Sequence, residues 1–189
     1  LFHNTPARRE DFCTLTKTSV FPLPFCGHRW IENLPVVDRA ITIWPMMVMY
    51  VDAVKQKILP NPRTSSYDTL AEARNDPLIM AKLHFFMAVS RTFTTFLTKY
   101  QTDEPVMPFI SKDMTVLMKS LLKRFIKAEI LNDITALQMV KLDTTAKEAR
   151  ARLKDVDVGL GAEEVLNVKA KVSNIKQWFR YRKSKLYFC

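Results

Sequence analysis

Glycine is scarce, with three in 189 residues, at positions 27, 159 and 161. A turn-rich β fold needs residues that accept positive φ at many loops, and a phosphate cradle needs several glycines close together. Both are excluded, and nucleotide binding of the glycine-loop kind goes with them. Cysteine is equally rare, at 13, 26 and 189, an odd and widely spaced set that builds no disulfide framework and points to a reducing compartment. His3, Cys13, Cys26 and His28 are the only Cys and His residues in the first 30 positions. Structural zinc sites pair ligands two to four residues apart at both ends. Here a single residue separates Cys26 from His28 and the other two stand alone, so no metal is assigned and no cofactor is called for. A Cys26–His28 nucleophilic pair fails as well, because adjacency in sequence does not orient a base and no third group is evident.

A long hydrophobic run is also missing. The longest, Ala40 to Val51, is interrupted by Thr42 and Pro45 and falls short of the ~20 residues a membrane span needs. The N-terminus carries no charged-then-apolar signal pattern. The expectation is a soluble chain with no membrane partner. The chain starts on Leu1 and ends on the apolar LYFC, and reads as a fragment or a truncated product.

Acidic residues are outnumbered, 19 against 29 Lys and Arg, giving a net charge of +10. From Lys169 onward there are seven basic residues (Lys169, Lys171, Lys176, Arg180, Arg182, Lys183 and Lys185) and no acidic one. Clustered cations gain affinity for polyanions by releasing counterions from phosphates. A solvated basic face is the simpler alternative.

What remains is helical. Thr5 followed by Pro6 is a helix start, and ARREDFCTL makes one short helix. SVFPLPF suits an edge strand or an extended connector. Asn33 is the next cap, and apolar residues from Val36 to Val54 recur at three- and four-residue steps in a helix expected to reach about Leu59, kinked at Pro45. Ser65 or Ser66 caps a short helix through Asn75, and Asp76-Pro77 opens the strongest helix in the chain, LIMAKLHFFMAVSRTFTTFLTKYQ. Ser111 is read as the cap of a further helix to about Leu131, with Met114, Leu117, Leu121, Leu122, Phe125 and Ile126 inward and Lys119, Lys123 and Lys127 outward. Residues 132–160 are ambiguous, ITALQMVKLD being a short strand or a helix end and VDVGLG a turn. Two helical segments follow over roughly 162–188, broken at Ser173. The expected fold is all-α, a bundle of about six to seven helices with a short extended N-terminal segment.

Two stretches carry recognisable patterns. NIKQWFRYRKSK, residues 174–185, resembles the recognition helix of a homeodomain through Ile175, Lys176, Trp178, Phe179, Arg182 and Lys185. Tyr181 stands where that family places its adenine-reading Asn, and the preceding sequence does not supply two partner helices, so the likeness is read as coincidence. The wider pattern is made of HNTPARREDF, VFPLPFCGHRW, ENLPVVDRAITIWP, DPLIMAKLHFF, FLTKYQTDEPVMPF and VDVGLGAE. These spaced motifs, over essentially the whole chain, resemble the vertebrate proteins derived from hAT-type (hobo/Activator/Tam3) DNA transposases.

That resemblance implies an RNase H-like catalytic domain split by a large helical insertion. Residues 1–30 would be the tail of the split region and its connector, and residues 31–189 the insertion-type domain, with a basic C-terminal helix over 173–188. The family's catalytic carboxylates, two Asp and one Glu, would lie upstream and downstream of the matched stretch. None carries over, and Asp11, Glu32, Asp38 and Asp52 show no arrangement for holding two metal ions. The expected activity is therefore none. What carries over is an Arg-Trp pair where the insertion begins: Arg29 and Trp30, one to hold phosphate, the other to stack on an unpaired base. The alternative for Trp30 is plain packing against the catalytic sheet. With Lys176, Arg180, Arg182, Lys183 and Lys185 these form the candidate nucleic-acid-binding set. The reading is a non-catalytic, domesticated or decayed hAT-type fragment, nuclear, with weak DNA binding. The rival is a helical protein-interaction or oligomerisation module without DNA binding; a fragment with no selected function is the third reading.

Overall fold

Proline and polar caps divide the chain much as the sequence proposes. The computed structural model describes residues 1–27, 30–103 and 105–169. Among these residues the protein is all-α, with eight α-helices, three short 3-10 turns and no strand. Helix α1 (Pro6–Thr16) starts on Pro6 and stops at Lys17, whose left-handed backbone (φ 57°) lets its N–H donate to the Cys13 carbonyl. SVFPLPF is then extended without pairing, the connector rather than the edge strand. A 3-10 turn, Trp30–Asn33, leads into α2 (Leu34–Lys55), which continues through Pro45 and ends four residues short of Leu59.

The caps of the next three helices differ from expectation. Thr64, not Ser65 or Ser66, caps α3 (Ser65–Asn75), its hydroxyl accepting the Tyr67 N–H at 3.3 Å. Asp76 accepts the Leu78 N–H at 2.8 Å, so it caps the turn ahead of α4 (Ile79–Tyr100) rather than the helix itself. Ser111 lies inside α5 (Ile110–Leu122), which a 3-10 turn over Met107–Phe109 introduces.

Helix α5 also ends nine residues before Leu131. There the chain turns so that the Lys127 N–H donates to the Ala149 carbonyl at 3.0 Å and the Ala151 N–H to the Phe125 carbonyl at 2.8 Å, an isolated antiparallel bridge. This long-range contact cannot be read from periodicity, which runs on smoothly through the break. Two five-residue helices follow, α6 (Ala128–Asn132) and α7 (Ala136–Val140), the latter set by a capping box between Thr135 and Gln138. They raise the helix count above the expected six to seven. Helix α8 (Leu160–Lys169) comes after the Gly159 turn; the segment expected beyond Ser173 lies outside the described residues.

The main core lies between the N-terminal segment, α2 and α3. Phe2, Phe12 and Tyr50 meet edge-on or tilted, with ring centroids 4.9–6.0 Å apart, above Ile43, Met47, Val51 and Val54. The residues assigned to the connector and the start of the helical domain thus share one apolar cluster. A smaller cluster of Ile126, Leu131 and Ala149 sits under the bridge. By length and composition alone α2 is long and apolar enough to cross a membrane, with a window of mean hydropathy 1.3. In this fold its apolar stripe is the wall of the main core.

Candidate nucleic-acid interface

The 3-10 turn at Trp30 is held from behind by Asn33, which is fully buried. Its side chain mimics a backbone strand: Oδ1 accepts the Cys26 N–H at 2.7 Å and Nδ2 donates to the Cys26 carbonyl at 2.7 Å. The residue expected to cap α2 makes no side-chain cap bond and instead closes the loop 26–33 on itself. Trp30 begins the turn, which touches both α2 and α4. Arg29 lies outside the described residues, as do Lys176, Arg180, Arg182, Lys183 and Lys185. Removing one partner from a buried two-point contact leaves the other unsatisfied, at about 1–3 kcal/mol per group. Asn33→Asp, which keeps the acceptor and loses the donor, is expected to destabilise the protein by about 2–3 kcal/mol, read as a lower urea midpoint.

The described cations divide into paired and unpaired. Arg74 pairs with Asp52 at 3.2 Å, Arg124 with Asp157 at 3.2 Å and Arg152 with Asp155 at 2.6 Å, while Lys82 and Lys99 contact Asp76 and Asp113. Lys112, Lys119 and Lys123 have no ion pair among the described residues. They are spaced seven and four apart, so all three lie on one stripe of α5 and its first C-terminal turn. The expected stripe of Lys119, Lys123 and Lys127 dissolves, because Lys127 has left the helix for the bridge. Lys112 enters in its place. The signal for this was the break in α5, which a single sequence does not show.

The acid next to Lys112 is occupied. Asp113 accepts from Lys99 and, at 2.8 Å, from the Tyr100 hydroxyl, tying the end of α4 to α5. The bonds from Lys99 and Tyr100 hold the Asp113 carboxyl below the ordinary carboxylate range. Desolvation first, then the bond to Asp113, pushes the Tyr100 phenol from 10.0 up to about 12. The contributions run in opposite directions along the pH scale. The stabilisation from Asp113 is present above the ordinary carboxylate range and is lost as pH falls through the lowered value; that from Tyr100 is present below pH 10 and is lost as pH rises through about 12. Ultraviolet titration of the tyrosines is expected to show a late phenol near 12 that moves down in Asp113→Asn. An unchanged titration in that variant would refute the Asp113 bond.

Between α4 and α5, beside this network, runs a groove of about 340 Å³ lined by Thr92, Thr95, Phe96, Lys99, Val116 and Ser120. Phe109 stands at the Lys99 end, its ring centroid 5.7 Å from the ammonium, and is 55% exposed. Among the described residues no three His, Cys, Asp or Glu side chains converge as a metal-holding group. No family model, no curated protein and no solved structure matches the chain.

Proposed function

We propose that the protein is a non-catalytic helical module of hAT-transposase type, nuclear, that binds DNA weakly and without sequence preference. One observation carries the reading: the excess of cations, 29 against 19 acids, with an acid-free run of seven beyond Val168. The unpaired lysines of α5 add to it. Arg29 and Trp30 supply the contact where the helical domain begins, and Lys176, Arg180, Arg182, Lys183 and Lys185 supply the phosphate contacts of the C-terminal segment. No membrane enters this reading; Ile43, Met47, Tyr50, Val51 and Val54 of α2 are buried in the main core.

Binding of this kind falls steeply with salt, by about 0.9 in the log–log slope for each duplex phosphate neutralised. Fluorescence anisotropy with labelled duplex DNA is expected to show such a slope, flattened when the basic residues from Lys169 to Lys185 are replaced by Gln. Salt-insensitive or absent binding would overturn the proposal. Trp30→Ala is expected to weaken hairpin and single-stranded DNA more than duplex; equal loss on all three would remove the stacking role.

A second reading rests on a separate observation. Leu137 and Val140, on the outer side of α7, are 67% and 70% exposed, and α5 has no fully buried residue. Exposed apolar groups on two helices fit a protein-interaction or oligomerisation module. Sedimentation showing self-association that Leu137→Glu abolishes, with no DNA binding, would favour it.

A further inference from the structure

The α4/α5 groove and the lysine stripe beside it form one surface with two chemistries. We propose that this surface binds single-stranded DNA, taking an unpaired base against Phe109 at the mouth of the groove and the neighbouring phosphates on Lys112, Lys119 and Lys123. The inference rests on the DNA-binding reading above and deepens it by naming the strand state and a set of residues other than Arg29, Trp30 and the C-terminal basic residues.

Helical geometry aligns the parts. The 3-10 turn Met107–Phe109 runs straight into α5, and at about 100° per residue Phe109, Lys112, Val116, Lys119 and Lys123 fall within about 80° of one another. The lysines span about 16 Å at ~1.5 Å per residue, a length that several phosphates of one strand occupy. The sector has a single aromatic, at one end, and it is more than half exposed. The ring already meets the Lys99 ammonium, yet Phe109 stays 55% exposed, and a base stacked on its open face removes that apolar area from water.

Charge selects the occupant. Asp113, the acid closest in sequence to Lys112, hydrogen-bonds Lys99 and Tyr100 and makes no ion pair with the stripe, meeting Lys112 through a weaker charge–charge attraction alone. Lys99 is itself held by Asp113 and lies over Phe109, which fixes the ring without cancelling the three free lysines. The groove adds hydroxyls from Thr92, Thr95 and Ser120 beside the apolar Phe96 and Val116. That mixture offers a flat heterocycle an apolar wall and polar edges, and its volume falls at the low end of the range for small-ligand pockets. A duplex keeps its bases stacked inside and cannot use the ring, whereas a single strand can.

The experiment measures anisotropy of the full chain with a labelled oligo(dT) and with a duplex of equal length. Phe109→Ala is expected to weaken oligo(dT) binding about tenfold with little change for duplex, and Phe109→Tyr to retain it. The triple change Lys112→Gln, Lys119→Gln, Lys123→Gln is expected to lower the single-strand salt slope by about 2, at roughly 0.7 per contact. Circular dichroism melts report whether each variant folds, and Phe109→Tyr guards against loss through misfolding. If the α5 variants bind as the parent does while replacement of the C-terminal lysines and arginines abolishes binding, this surface is wrong and the general DNA reading stands. If the parent binds neither probe, both are wrong.

Discussion

Replacing Gly159 with alanine is expected to lower the unfolding free energy by about 2–4 kcal/mol, a sum of backbone strain and overpacking. Gly159 has φ +83°, and a Cβ built there lies 2.6 Å from the Cβ of Ala88 on α4. The first fact costs any L-residue about 1–2 kcal/mol. The second is worse, because the obstructing atom is bonded directly to a helix backbone and cannot rotate away. Carbon atoms need ~3.5–4.0 Å, so α8 would have to lift from α4 by about 1 Å along the most extensive helix pairing in the fold. Gly159 also starts α8: its N–H donates to the Asp157 carboxylate at 2.8 Å and its carbonyl accepts the Glu163 N–H at 2.9 Å. Gly161 is a milder case, since a Cβ there meets the His84 ring at 2.5 Å and a ring can swing. Urea denaturation of Gly159→Ala, Ala88→Gly and the double variant gives the coupling between the two sites. The double variant should recover the steric part, leaving the φ strain and the ~1 kcal/mol cost of a helical glycine. A Gly159→Ala protein within 0.5 kcal/mol of the parent would mean that α8 does not dock in this register.

Phe12→Ala is expected to cost about 3–5 kcal/mol, the usual range for deleting a buried aromatic ring. Phe12 is 0% exposed and touches the rings of Phe2, Phe21 and Tyr50 at centroid distances of 4.9, 5.5 and 6.0 Å. Three rings around one vacancy cannot all collapse into it, since Phe2 precedes a turn anchored by bonds to the Leu1 carbonyl and Phe21 sits on the extended connector, itself held elsewhere. Arg9 lies 4.2 Å over the Phe21 ring and the Arg39 guanidinium donates to the Phe21 carbonyl at 3.3 Å, pinning that segment from outside. For a domain with a total stability of ~5–15 kcal/mol the loss is a fifth or more. Thermal melts followed by circular dichroism would show it, and Phe12→Leu, which keeps most of the volume, should lose much less. A melting temperature unmoved by Phe12→Ala would place residues 1–16 outside the cooperative unit.

The helices were legible where local chemistry is decisive. Pro6 at a helix start, the three-and-four spacing from Val36 to Val54, and the uninterrupted run from Leu78 to Gln101 each act over a few residues, and each gives a helix within about four residues of the expected bounds. Local pattern misleads where a distant partner intervenes. The pattern from Ser111 to Leu131 reads as one helix, yet the strand-like pairing of Phe125–Lys127 with Ala149–Ala151 breaks it in two. Asn33 sits where a cap belongs and spends its amide on Cys26 instead. The candidate site suffered the same limit: the lysine stripe moved from 119, 123 and 127 to 112, 119 and 123 once the helix end was known, and the groove depends on Tyr100, Lys99 and Asp113 meeting across two helices.

By itself the sequence determined the fold class and the sign of the charge. Scarce glycine, capped amphipathic segments and a surplus of ten cations are properties of single residues and of neighbours within a turn or two, and they survive any tertiary arrangement. The tertiary structure alone decided which cations are neutralised, which aromatic rings are left to solvent, and why Gly159 and Gly161 stand where they do. The first two depend on ion pairs and burial between segments far apart in the chain. The last depends on the distance between α4 and α8, too short there for a side chain, and no local pattern encodes that distance.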